Sequence, residues 1–122
     1  MTRHVLLVDD DAELRLAVDR QLGVLGCDVV VVASGEDAMR VAEEQLRIDV
    51  LLTELRLPDI DGRELAWALG QKRPFVRVAF MSRDAPDEPL NPREAPFLKK
   101  PFTTDALSDA LARALPVRRA AR

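Results

Sequence analysis

The sequence lacks most of the devices that small proteins use to reinforce a weak core. Its single cysteine, Cys27, has no partner for a disulfide within the chain. A chain of 122 residues buries roughly two-thirds of its unfolded surface and needs neither a metal nor a disulfide to fold. The lone cysteine and the lack of a recognisable signal peptide predict a reducing, cytoplasmic location.

Long apolar runs and a strong charge imbalance are also missing. No stretch approaches the roughly 18 apolar residues of a membrane span, so we expect no membrane partner. The net charge is −3, which argues against nucleic acid as a partner. Residues 116–122 carry three arginines, and we interpret them as a solvated basic tail that follows a single domain over residues 3–115.

Short apolar runs alternate with helical patterns along the chain. Strands that are separated by helices cannot pair as hairpins, and they form a parallel sheet through right-handed crossovers. The sequence therefore predicts the α/β class, with a doubly wound five-stranded parallel sheet. The predicted strands are residues 4–8, 29–33, 48–53, 75–81 and 95–99.

Residues 84–96 interrupt this alternation because they contain four of the eight prolines. Proline costs about 3 kcal/mol in a helix interior. The helix expected between the fourth and fifth strands should therefore be short or missing. The final helix should begin at Thr103 or Thr104 and present Leu107, Leu111 and Leu115 to the core.

Polar side chains follow most of the predicted strands. Because parallel strands all end at the same edge of a sheet, these groups should meet there. Carboxylates in such a group repel, and Mg²⁺ relieves the repulsion. A lysine, a hydroxyl and Mg²⁺ around one carboxylate form a trap for a phosphoryl group. The residues at the strand ends are Asp9, Asp10, Glu54, Ser82 and Lys100.

Two enzyme classes with similar folds are disfavoured. A haloacid dehalogenase-type phosphatase would carry Asp-x-Asp-x-Thr/Val after the first strand, whereas this chain has Asp9-Asp10-Asp11-Ala12-Glu13 and lacks the Thr/Val. A flavodoxin would place a Ser/Thr/Gly-rich phosphate loop there, and carboxylates would repel its cofactor. We expect no enzymatic activity, and we expect Asp10 or Asp11 to cap the first helix.

Four motifs resemble the receiver domain of two-component response regulators, in order and in spacing. They are Val8-Asp9-Asp10-Asp11, Leu55-Arg56-Leu57-Pro58 with Asp61-Gly62, Phe80-Met81-Ser82, and Lys100-Pro101-Phe102. The resemblance covers residues 5–115 and implies the flavodoxin-like strand order 2-1-3-4-5.

The resemblance also implies roles for individual residues. Ser82 resembles the switch hydroxyl, Lys100 the lysine that neutralises the phosphoryl group, and Phe97 the aromatic residue that swings inward on activation. The Lys100-Pro101 bond is usually cis in the family. The implied Mg²⁺ ligands are Asp9, Asp10, Glu54 and the backbone carbonyl of Arg56.

Glu54 is the main departure from the family, because it occupies the position of the phosphorylated aspartate. The extra methylene moves the carboxylate by more than about 1 Å, and such an error can cost about 100-fold in rate. We therefore predict that Glu54 accepts phosphate poorly or not at all. It could act as a permanent partial mimic that contacts Ser82 and Lys100, belong to a degenerate site that signals by binding alone, or replace an original aspartate by engineering.

Arg83 is a second departure, because the family usually has a small residue after the switch hydroxyl. Its long side chain would narrow access to the site, could pair with Glu54 and could compensate the carboxylate cluster. The resemblance implies a sensor histidine kinase or a histidine phosphotransfer protein as partner, and it allows a homodimer. The sequence thus predicts a single-domain receiver in phosphorelay signalling. The alternative is a pseudo-receiver, a protein-interaction module that works independently of phosphorylation.

Overall fold

A computed structural model describes residues 2–44, 47–86 and 95–116. Within these ranges a six-stranded sheet is covered by four helices. The strands are β1 (His4–Val8), β2 (Asp28–Val32), β3 (Val50–Glu54), β4 (Arg77–Ser82), β5 (Phe97–Lys99) and β6 (Leu115–Pro116). The helices are α1 (Ala12–Val24), α2 (Gly35–Glu44), α3 (Gly62–Lys72) and α4 (Thr104–Arg113).

The predicted sheet is confirmed in its class and in its order. Five strands are parallel and lie in the order β2-β1-β3-β4-β5. The apolar strands alternate between two cores, because successive side chains point to opposite faces of a sheet. Val5 and Leu7 of β1 join the core beneath α1 and α4, whereas Leu6 and Val8 join the core beneath α2 and α3.

Side-chain caps fix where the helices begin. The Asp11 carboxylate accepts the N–H groups of Glu13 and Leu14 at the start of α1, as the sequence predicts. Thr103 accepts the N–H of Ala106 and caps α4, so the first of the two candidate threonines fills this role. Each cap satisfies donors that have no partner inside the helix.

The C-terminal end of the described chain differs from the expectation. The helical stripe was predicted to extend to Leu115, but α4 ends at Arg113, and Leu115 and Pro116 form β6, antiparallel to β4. A residue that precedes proline is pushed towards extended backbone, and the Arg77 guanidinium donates to the Ala114 carbonyl at 3.0 Å. The five parallel strands are as predicted, and β6 is an additional short antiparallel strand that the sequence did not predict.

The proline-rich segment is described only at its two ends. Residues 84–86 and 95–96 are not helical, and the rest of the segment, where a short helix was predicted, lies outside the described residues. No helix in the described ranges combines the length and apolar character needed to cross a bilayer.

Candidate functional site

The strand-end side chains meet at the carboxyl edge of the sheet, as the topology requires. They line an open cleft of about 250 Å³ beside the first turn of α1. The sheet places β1, β3, β4 and the end of β5 side by side here, which gathers residues that are far apart in sequence. The cleft is lined by Asp9, Asp10, Asp11, Leu14, Glu54, Arg56, Ser82, Arg83, Asp84 and Lys100.

Lys100 lies at the centre of the charged group and is buried. Its ammonium donates to Asp9 Oδ2 at 2.5 Å and lies 2.8 Å from Glu54 Oε2. All three side chains are at most 10% exposed, so solvent screens these contacts weakly. One cation therefore contacts two buried carboxylates at once and offsets one of their two negative charges. The peptide bond between Lys100 and Pro101 is cis, as the family resemblance implied.

Glu54, at the end of β3, uses its two oxygens differently. Oε1 accepts the Ser82 hydroxyl at 3.1 Å. Oε2 makes a charge contact with Lys100, at an angle outside hydrogen-bond geometry. The same carboxylate thus contacts both of the groups that the resemblance assigns to a phosphoryl group. This arrangement is the one that the mimic interpretation of Glu54 requires.

The three consecutive aspartates at the end of β1 have separate environments. Asp9 is buried, and its Oδ1 accepts the N–H of Asp11 at 3.0 Å. Asp11 is half-buried and caps α1. Asp10 is exposed and lines the cleft, and its side chain accepts no hydrogen bond from the described residues. Asp10 therefore offers the cleft a carboxylate that can take a cation.

Arg83 pairs with Asp11 and not with Glu54. Its Nη2 lies 3.3 Å from Asp11 Oδ2, across the mouth of the cleft. The two side chains are 65% and 39% exposed, and exposed pairs of this kind contribute about 0–1 kcal/mol. Arg83 thus contacts a member of the acidic cluster, but this member is Asp11 and not Glu54.

Phe97 and Arg56 complete the set of predicted residues. Phe97 begins β5, is half-buried against the core beneath α2 and α3, and does not line the cleft. Arg56 follows β3, lines the cleft and forms an antiparallel bridge with Asp61. Seven of the eight site residues named from the sequence thus line the cleft, whereas Phe97 lies in the adjoining core.

The donor set suits Mg²⁺ better than a metal that needs many protein ligands. In the described ranges no cluster of three or more His, Cys, Asp and Glu side chains is arranged to hold a metal. Mg²⁺ typically keeps several waters and takes only one or two carboxylates. Asp10 provides a free carboxylate, while Asp9 and Glu54 are already engaged by Lys100. The residues therefore fit a hydrated Mg²⁺ ion at the outer part of the cleft.

Two contacts near the site are not indicated by the sequence. The Asp59 carboxylate accepts the N–H groups of Gly35 and Glu36 at the start of α2, and hydrogen bonds from Gly35 and then Glu36 hold the pKa of Asp59 below its usual range. The Gln21 amide of α1 donates to the Phe102 carbonyl beside the cis bond, at 2.8 Å. Neither residue belongs to a local motif that would have indicated its distant partner.

The fold and the cleft define a receiver domain. The family model for the response regulator receiver domain matches residues 5–112, and this chain belongs to that family. It is therefore a response regulator receiver domain of two-component signalling. Receiver domains are typically non-enzymatic signalling modules that interact with sensor kinases or phosphotransfer proteins, and they generally bind Mg²⁺ at the phosphorylation site.

The chain is similar to a part of longer regulators and to receivers of known structure. It is 36% identical to the C4-dicarboxylate transport transcriptional regulatory protein DctD of Pseudomonas aeruginosa, over 95% of this chain and 26% of DctD. It is 32% identical to the response regulator protein FleR of the same species, over 93% of this chain and 24% of FleR. The chain thus spans about a quarter of the length of these relatives.

Solved structures show the same fold. The chemotaxis response regulator CheY4 of Vibrio cholerae superposes with a TM-score of 0.78 at 25% identity, over 94% of this chain and 100% of CheY4. A response regulator receiver protein from Sinorhizobium medicae superposes with a TM-score of 0.79 at 27% identity, over 92% of this chain and 93% of that protein.

Proposed function

We propose that this receiver domain is held in a phosphorylated-like arrangement by Glu54 and is phosphorylated poorly or not at all. One observation carries the proposal: the Glu54 carboxylate contacts Ser82 at 3.1 Å and Lys100 at 2.8 Å simultaneously. In a receiver that carries aspartate at this position, the serine hydroxyl and the lysine ammonium would contact the phosphoryl group. The longer side chain of Glu54 brings a negative charge to Ser82 and Lys100 without phosphorylation.

The same contacts explain why phosphoryl transfer to Glu54 should be slow. Transfer requires a carboxylate oxygen to attack the phosphorus atom in line with the departing group, with both held in place. Glu54 is 7% exposed, and both of its oxygens already face protein groups. Attack on a phosphodonor would break a hydrogen bond and a buried charge contact before the new oxygen–phosphorus bond forms.

Mg²⁺ would bind at the outer part of the cleft, held by Asp10 and the Arg56 backbone carbonyl, with Asp9 and Glu54 as further charges of the site. When bound, it would offset negative charge on a phosphoryl group. The Arg83–Asp11 pair narrows the same opening and places a second positive charge there. The chain's own residues therefore hold the site partly neutralised before any ion enters.

The partner in this proposal is a sensor histidine kinase or a histidine phosphotransfer protein in the cytoplasm. The chain would act by contact with such a protein, or with a second copy of itself, without catalytic turnover. The family membership supports a protein partner. Residues 87–94 lie outside the described residues, and the proposal does not depend on them.

A pseudo-receiver that never adopts the phosphorylated-like state is the second candidate. It is favoured by the contacts of Lys100 with both Asp9 and Glu54, because the lysine is then already engaged and not free for a phosphoryl group. The two candidates differ in the conformation that they assign to the resting protein. A comparison with a phosphorylated aspartate variant separates them.

The test uses the parent protein and its Glu54→Asp variant. Each is incubated with acetyl phosphate and Mg²⁺, and its intact mass is measured. We expect only Glu54→Asp to gain a phosphoryl group, and we expect this gain to be lost with EDTA and reduced at least about ten-fold by adding Asp10→Asn. Labelling of the parent at Glu54 would contradict the proposal. Failure of Glu54→Asp to react would refute the assignment of the cleft to phosphoryl chemistry.

The NMR spectra of the same proteins decide between mimic and pseudo-receiver. If Glu54 acts as a mimic, resonances of Ser82, Phe97 and Lys100 in the parent should match those of phosphorylated Glu54→Asp. If those resonances match the unphosphorylated variant, the pseudo-receiver interpretation is correct.

A further inference from the structure

The loop at residues 55–61, here called the site loop, connects the end of β3 to α3 and is fixed at its base. The Gly62 N–H donates to the Leu55 carbonyl at 2.7 Å, and Arg56 forms an antiparallel bridge with Asp61. The backbone of Gly62 also runs directly beneath β3, since a Cβ there would lie 2.3 Å from the Glu54 carbonyl oxygen. The base of the loop therefore moves together with the strand that carries Glu54.

The tip of the site loop is fixed to a different element. The two oxygens of Asp59 accept the N–H groups of Gly35 and Glu36, at 3.0 Å and 2.8 Å. Ile60 packs directly on Gly35, where a Cβ would lie 2.2 Å from Ile60 Cγ2. The tip thus carries one polar and one apolar contact to the first turn of α2.

These contacts do more than cap a helix. The first N–H groups of a helix lack partners inside it, and α2 has a local cap as well, because Ser34 Oγ accepts the N–H of Asp37 at 3.1 Å. Asp59 takes the two donors that Ser34 leaves, and it comes from a segment 24 residues away. A carboxylate is favoured at this position by the positive end of the helix dipole.

We propose that Asp59 is a positioning residue for the cleft. By tying the tip of the site loop to α2, it supports the backbone at the base of the loop, where Arg56 lines the cleft and bridges Asp61. The proposal rests on the function proposed above, because it assigns to the loop the task of placing a backbone carbonyl beside Glu54. Loss of the tie should loosen the cleft from the side of the loop while leaving the sheet intact.

The test compares Asp59→Ala with Ser34→Ala in the Glu54→Asp background. Both variants remove a capping contact of α2, but only Asp59→Ala releases the site loop. We expect Asp59→Ala to slow the gain of a phosphoryl group from acetyl phosphate by about ten-fold, and Ser34→Ala to change it by less than about two-fold, at comparable losses of Tm. Asp59→Asn keeps acceptor oxygen at this position and should recover part of the rate.

A second readout does not depend on phosphoryl chemistry. In the parent protein, amide hydrogen exchange at Gly62 reports the base of the site loop directly. We expect Asp59→Ala to accelerate this exchange by about ten-fold relative to amides of β1, and Ser34→Ala to leave it unchanged. Equal effects of the two variants on both readouts would overturn the proposal. If Glu54→Asp takes no phosphate at all, the proposed function fails, and the exchange result alone decides the role of Asp59.

Discussion

Lys100 holds the site together at the scale of single residues. Asp9 and Glu54 are both buried, and each would be costly to keep charged without a partner. The Lys100 ammonium contacts both carboxylates, and it thereby links the ends of two strands through residues that are 45 positions apart in sequence. The Glu54 carboxylate contacts Ser82 through one oxygen and Lys100 through the other.

Replacing this lysine should therefore be costly. Lys100→Met keeps the bulk of the side chain but leaves two buried carboxylates without a cation, which should lower the free energy of unfolding by about 3–5 kcal/mol. The adjacent Lys99 is exposed and offers a matched control. Urea denaturation of the two variants measures the difference.

The expected order of destabilisation is Lys100→Met, then Glu54→Gln, then Lys99→Met. Glu54→Gln leaves Lys100 its contact with Asp9, so its effect should be smaller. If Lys100→Met and Lys99→Met unfolded at the same urea concentration, the lysine would not be the residue that stabilises the two carboxylates.

At the scale of secondary-structure elements, the local sequence pattern predicted the strands and the cleft but not the contacts between residues that are distant in sequence. The strands could be identified because each is an apolar run, and the cleft because polar residues end those runs. The bonds from Asp59 to α2 and from Arg83 to Asp11 could not, since they join residues 24 and 72 positions apart that carry no shared periodicity. Such pairs depend on how packed elements approach one another.

The C-terminal strand β6 was missed for a related reason. Leu115 continues the four-residue spacing of Leu107 and Leu111, so a helix that reached it was the natural prediction. The helix ends earlier because Pro116 restricts the preceding residue, and β4 offers backbone partners at Arg77 and Val78 that β5 leaves open. The unpaired backbone of β4 at these two residues is evident only from the folded sheet and not from the sequence.

Gly62 gives an element-scale prediction, because it lets α3 start directly beneath the end of β3. A Cβ there would lie 2.3 Å from the Glu54 carbonyl oxygen and 2.9 Å from the Leu55 Cα, and both are backbone atoms that cannot rotate away. Gly62→Ala should therefore lower the free energy of unfolding by about 3 kcal/mol.

Gly23, near the end of α1, provides the control. A Cβ at Gly23 meets nothing within 4 Å, so Gly23→Ala should stabilise the protein by up to about 1 kcal/mol through helix propensity. Thermal unfolding of the two variants, followed by circular dichroism, checks the opposite signs. A stable Gly62→Ala protein would show that the site loop is not fixed to β3 at its base.

Across the whole molecule, the two edges of the sheet carry different polar groups. The carboxyl edge holds the cleft, while at the opposite edge His4 at the start of β1 lies between Asp28 and Asp49. The carboxylate of Asp49 accepts the His4 N–H at 2.8 Å and the Arg47 Nε–H at 3.2 Å. The edge away from the cleft therefore also depends on a charged carboxylate.

Several carboxylates outside the cleft make the stability of the whole molecule depend on pH. Burial alone would raise the pKa of Asp49, but hydrogen bonds from His4 and Arg47 outweigh it and leave the pKa below its ordinary value. Backbone hydrogen bonds likewise lower the pKa of Asp59, and a hydrogen bond from Lys72 lowers that of Glu43.

A carboxylate with a lowered pKa in the folded state binds fewer protons there than in the unfolded chain. Its contribution to stability is therefore complete above the unfolded pKa of about 4 and is lost as the pH falls through the folded pKa. The urea midpoint should stay level near pH 6 and decline below about pH 5.

Asp49→Asn should make this decline shallower, because it removes one of the groups responsible. The control is Glu44→Gln, at an exposed position at the end of α2, which should leave the pH dependence of the urea midpoint unchanged. An equal pH dependence in the parent and in Asp49→Asn would show that the His4 and Arg47 contacts do not favour the charged form of Asp49.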